Sequence, residues 1–84
     1  MDSLTGRLIF AISKFKEGIY SESDFHATIE SIRNSATESV NEDLFNFISD
    51  VESELEIIDF AVDEKFGRDL YLKQIQRIEI FMKT

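Results

Sequence analysis

Eighty-four residues suffice for one domain, and a chain of that size has no apolar volume to give up to a deep catalytic cleft, so an enzyme is not expected. The absence of Cys excludes disulfides and thiolate zinc sites and suits a reducing compartment, the cytoplasm by default. Nine Lys and Arg against seventeen Asp and Glu give a net charge of −8, and with no basic stripe to meet phosphates, nucleic acid is not an expected ligand.

The opening MDSLTGRLIFAISKFKEG does not read as a secretory signal, because an acid precedes its first base, its apolar run is short, and no small-residue cleavage site follows. No window offers the roughly 20 uncharged residues of a membrane span. No linker or internal repeat divides the chain, so a single helical domain over residues 1–84 is expected.

Leu4, Leu8, Ala11, Ile12 and Phe15 recur at three-four spacing and predict a first helix from about Ser3 to Glu17. Gly18 supplies the left-handed residue that commonly ends a helix, with Ile19 placed for the hydrophobic contact after it. The segment YSESDF then reads as a helix start: Ser21 is the N-cap, Asp24 reaches back in a capping box, and Tyr20 and Phe25 hold the two positions of a hydrophobic staple. The second helix begins at Glu22 with the stripe Phe25, Ile29, Ile32 and Ala36, and NSATES frays it with side chains that compete for backbone hydrogen bonds.

Asn41 reads as the next cap, with Val40 and Phe45 as a second staple and Glu42 and Asp43 in the first turn, where the helix dipole favours acids. Leu44, Ile48, Val51, Leu55, Ile58 and Val62 form the seam of the third helix. That helix either continues to Phe66 and stops at Gly67, with Lys65 in its last turn, or bends near Asp59 to Asp63. Asp69 is the expected cap of the last helix, whose stripe is Tyr71, Ile75, Ile78 and Met82. Four amphipathic segments on short connections predict an all-α antiparallel four-helix bundle, the alternative being a three-helix bundle with an N-terminal arm. The predicted core is Leu8, Ile12, Phe15, Phe25, Ile29, Ile48, Val51, Leu55, Ile75 and Ile78.

Charge is unevenly spread. Between Asn34 and Glu64, counting Glu64, stand ten acids and no base: Glu38, Glu42, Asp43, Asp50, Glu52, Glu54, Glu56, Asp59, Asp63 and Glu64. A merely solvated face would mix the signs, and the like-charge pairs Asp50/Glu54, Glu52/Glu56 and Asp59/Asp63 each cost a few tenths of a kcal/mol. Attraction of a basic protein partner accounts for such a field. At about 100° per residue, Phe60 falls about 160° and Ile57 about 220° from the seam. In a straight helix they form an apolar pair rimmed by carboxylates, the composition of a binding hot spot, whereas a bend returns them to the core. The expected partner-binding set is Glu42, Asp43, Asp50, Glu54, Glu56, Ile57, Asp59, Phe60 and Asp63.

Catalytic and cofactor signatures do not emerge. His26 is the sole histidine, with no second His or Cys to share a metal. DVESELEIIDF lacks the central Gly of a calcium loop, and no Gly-rich phosphate loop occurs. No catalytic residue, cofactor or metal site is therefore assigned. Phe10 and Ile80, on the backs of the first and last helices, are the positions for a homodimer contact.

In length, acidity and the helix start Ser21-Glu22-Ser23-Asp24-Phe25, the chain resembles the small bacterial immunity proteins that neutralise colicin-type nuclease toxins. The resemblance spans residues 8 to 60 in pattern. It implies an acidic helical bundle whose carboxylates cover the toxin's substrate-binding surface, here those from Glu42 to Asp63. The Tyr-Tyr-Pro segment of the DNase-inhibiting branch is absent, since Tyr20 and Tyr71 lie far apart and there is no Pro. What carries over is thus the charge logic. The resulting expectation is an immunity or inhibitor protein against a basic nuclease-type toxin, the alternative being a regulatory or adaptor bundle, cellular or phage, that binds another protein.

Overall fold

The computed structural model describes residues 3–36, 42–61 and 64–83. They form four helices, α1 (Ser3–Lys16), α2 (Glu22–Ala36), α3 (Glu42–Ala61) and α4 (Glu64–Lys83). Val40, Asn41, Val62 and Asp63, and with them the expected cap and staple of α3, lie outside the described residues, as does the second half of NSATES.

Side-chain pairs fix the directions. As α2 advances from His26 to Arg33, its partners on α3 retreat from Asp59 to Glu52. As α3 advances from Phe47 through Asp50 to Asp59, its partners on α4 retreat from Phe81 through Arg77 to Tyr71. On α1, Arg7 meets Ser31 and Ser35 of α2 while Phe15 meets Phe25. Consecutive helices are therefore antiparallel. The last turn of α1 closes the bundle onto α4, with Phe15 stacked on Tyr71 at 5.8 Å and Lys16 reaching Glu79 at 2.9 Å. This is a four-helix all-α bundle, and α1 is a packed member of it rather than an arm.

One core results. All ten residues of the predicted core are buried, joined by Ala11, Ile32, Leu44, Ile58 and Tyr71. Phe15, Phe25 and Tyr71 pack mutually at ring separations of 5.4, 5.8 and 6.1 Å, so three helices converge on one aromatic cluster. The guanidinium of Arg68 covers its edge, 4.6 Å from the Phe15 ring, and donates to the Phe15 carbonyl at 3.1 Å.

Local signals act as the residues dictate at both ends of the first loop. Gly18 takes φ 79°, its amide donates to the Phe15 carbonyl and the Ile19 amide to that of Lys14, the pattern of a Schellman stop. Ser21 and Asp24 exchange reciprocal hydrogen bonds at 3.1 and 3.2 Å, closing the capping box. Ile19 does not bury against the helix it follows and stays 60% exposed, while Tyr20 packs edge-on against Phe10 at 6.4 Å.

Gly67 is not a helix stop. The helix that carries the seam ends at Ala61, and Gly67 lies inside α4, which begins before the expected cap Asp69. A Cβ built on Gly67 meets nothing within 4 Å. Gly67→Ala is therefore expected to stabilise the fold by about 0.5–1 kcal/mol, the ordinary helix-interior difference. Gly18→Ala, forced into the left-handed region, should cost about 1 kcal/mol. Urea midpoints at unchanged slope read both effects.

Candidate functional site

The end of α3 carries an exposed apolar pair. The helix is continuous through Ala61, with Ile58 in the core and Phe60 facing away from it at 97% exposure; Ile57 beside it is 57% exposed. Of the expected bend and the expected continuation to Phe66, neither holds over the described residues: α3 is one helix through Asp59 and Phe60 to Ala61, α4 is a separate helix from Glu64, and both apolar side chains stay outside. Glu56 is exposed one turn back, and Glu54 is half-buried.

The expected carboxylates do not act as one set. Glu42 and Asp43 are exposed in the first turn of α3, where they face the positive end of the helix dipole. At about 1.5 Å per residue they stand roughly 27 Å from Phe60, well beyond a Debye length of about 10 Å. Asp50 is bound by Arg77 at 2.6 Å, and that guanidinium also sits 5.6 Å over the Phe47 ring. Asp59 is turned inward onto His26 and Tyr71. Asp63 lies outside the described residues. Glu54 and Glu56 remain near the anchor with no ion pair among the described residues. Lys65 and Arg68, in the first turns of α4, belong to the same end of the bundle. The segregation of charge along the chain is therefore only partly a segregation in space.

Beneath the anchor lies a polar cluster whose pairing the sequence did not reveal. Glu52 falls four residues after Ile48 and three before Leu55, on the seam itself, and is 3% exposed. Arg33 on α2, following the buried Ile32, donates to its Oε2 at 3.0 Å. His26, half-buried, sets Nδ1 at 2.7 Å from Asp59 Oδ2 and Nε2 at 3.9 Å from Glu52 Oε1. The Tyr71 hydroxyl donates to Asp59 Oδ1 at 2.6 Å. Burial of the phenol, reinforced by the hydrogen bond to the Asp59 carboxylate, pushes its pKa far above the ordinary tyrosine value, so Tyr71 is a fixed neutral donor. Two features carried a signal: an acid at a seam position, and His26 and Glu30 at a four-residue spacing on one helix face.

His26, Glu30 and Glu52 each bring a ligand atom within 4.8 Å of the others, and they are the group among the described residues with the composition to hold a metal ion. No helix among the described residues is long and apolar enough to cross a membrane. No protein family, curated protein or solved structure matches the chain.

Proposed function

We propose that the chain is a protein-binding module that docks through the end of α3, with Phe60 and Ile57 as the apolar anchor and Glu54 and Glu56 as the steering charges beside it. The observation that carries this reading is Phe60 at 97% exposure on a helix whose opposite face is fully packed. A phenyl ring held in water by a rigid helix is an anchor awaiting a pocket, and carboxylates around it favour a partner whose pocket is ringed by bases. Its most concrete form, supported by the net charge of −8, is an immunity-type inhibitor that covers the substrate-binding surface of a basic, nuclease-type toxin. A regulatory or adaptor bundle is favoured by a different observation. Asp50, Glu52 and Asp59 are spent on internal pairs, so recognition leans on the apolar anchor more than on charge mimicry.

A pull-down from the source cell identifies the partner, and surface plasmon resonance then tests the surface. Phe60→Ala is expected to raise the dissociation rate, weakening binding by about 2 kcal/mol, roughly thirty-fold, while leaving the thermal melt of the free chain unchanged. Glu54→Gln with Glu56→Gln should instead lower the association rate and flatten its salt dependence. Unchanged affinity in Phe60→Ala would place the docking surface elsewhere. Salt-insensitive association would remove the charge component, and a partner without nuclease activity would remove the toxin form.

A further inference from the structure

The two oxygens of Glu52 face different groups. Oε2 accepts from Arg33, while Oε1 faces His26 Nε2 across 3.9 Å from a side chain only 4% exposed. The protonation of the ring follows from its other side. The Tyr71 phenol occupies Asp59 Oδ1 as donor, and Asp59 Oδ2 lies 2.7 Å from Nδ1, so Nδ1 carries the ring proton and Asp59 accepts on both oxygens. In the neutral imidazole Nε2 is then a bare lone pair pointed at a carboxylate oxygen. Two acceptors facing each other call for positive charge between them. Either a second ring proton or a bound cation supplies it, and the separation of 3.9 Å is longer than a direct N–H···O bond of about 2.8 Å.

A metal ion fits the gap better. With bonds of about 2.1 Å, a tetrahedral ion sets its ligand atoms roughly 3.4 Å apart, so the pair closes by about half an ångström. Glu30, one turn beyond His26 on the same side of α2, supplies the third ligand atom within 4.8 Å. It has no hydrogen bond or ion pair among the described residues that would hold it back. Asp59 takes the part of the outer carboxylate that fixes the tautomer of a metal-binding histidine.

We propose that His26 Nε2, Glu52 Oε1 and a Glu30 carboxylate oxygen bind one divalent transition ion of the zinc type, bridging α2 and α3, with a remaining position open to water. The imidazole nitrogen selects such an ion over calcium or magnesium, which take oxygen ligands. The site stands independently of the docking surface, because none of its ligands belongs to the anchor.

The test uses the full chain after treatment with a chelator. Isothermal titration with Zn²⁺ and Co²⁺ should give one saturable site per chain, and Co²⁺ should develop the visible absorption of an ion held by nitrogen and oxygen. His26→Gln should abolish both signals. Asp59→Asn should weaken binding by about 10- to 100-fold, the usual effect of losing an outer-shell partner. Glu30→Gln changes an exposed side chain and tests a ligand without disturbing the core; a loss of about tenfold or more is expected there. Absence of a saturable site overturns the proposal. So does Mg²⁺ binding as tightly as Zn²⁺, or binding that Glu30→Gln leaves intact, either of which marks a diffuse acidic surface.

Discussion

Val51→Asp is expected to unfold the chain at 25 °C or to leave it only marginally folded. Val51 is fully buried on the seam of α3, within the core shared by all four helices. The substitution removes about 1.5–2 kcal/mol of apolar burial. It also places a carboxyl where no partner exists, and the chain can meet that in two ways. Keeping the group charged costs several kcal/mol of desolvation. Keeping it neutral at pH 7 requires moving its pKa up by at least three units from about 3.9, at about 1.4 kcal/mol each, so that route costs about 4 kcal/mol or more. Either way the total reaches about 6 kcal/mol, against the 4–13 kcal/mol that roughly 0.05–0.15 kcal/mol per residue provides. Val51→Ala, by comparison, loses about 2 kcal/mol and stays folded. Circular dichroism at 222 nm with a urea titration separates the two, and a cooperative transition retained by Val51→Asp near the wild-type midpoint would show that the seam does not carry the core.

The features legible in the sequence are those that depend on neighbours a few residues away. Periodicity exposed the buried faces because a helix places positions three and four apart on one side whatever it packs against, and so Ile48, Val51 and Leu55 were identifiable as core. The same angular arithmetic put Phe60 outside only for an unbent helix, and it was the continuity of α3 through Ala61 that decided against a return to the core. Ser21 and Asp24 formed their box because its geometry is closed within one turn. Gly67 misled because glycine is tolerated inside a helix as well as past its end, and only the packing of α4 decides between them. The acids misled for a different reason. A run of ten without a base is a fact about chain distance, while Arg33 and Arg77 arrive from other helices to neutralise Glu52 and Asp50. Glu52 looked like one more surface acid, yet it occupies a seam position where only a partner across the interface makes a charge tolerable.

That partnership predicts an asymmetry between its two members. Arg33→Met is expected to destabilise the fold by about 2 kcal/mol, whereas Glu52→Gln should cost well under about 1 kcal/mol. The Glu52 side chain is 4% exposed, and the hydrogen bond from Arg33 at 3.0 Å is its charge-compensating contact. Removing the base strands a carboxylate in the core, a loss of about 3–5 kcal/mol for a fully buried pair. Arg33 is 33% exposed, so water reaches part of the gap it leaves and the loss is discounted accordingly. Removing the acid is different, because Glu52→Gln still offers Arg33 an amide oxygen on a side chain of the same shape, and the exposed guanidinium can turn to solvent. The double change Arg33→Met with Glu52→Leu should recover most of the single-mutant loss, since an apolar pair of similar volume replaces a desolvated ion pair. Urea midpoints of the wild type, Arg33→Met, Glu52→Leu and the double variant in a double-mutant cycle read the coupling directly. Equal losses in Arg33→Met and Glu52→Gln would show that the pair acts through packing alone; a loss confined to Arg33→Met shows that the bundle is built around a charge that one cross-helix guanidinium holds in place.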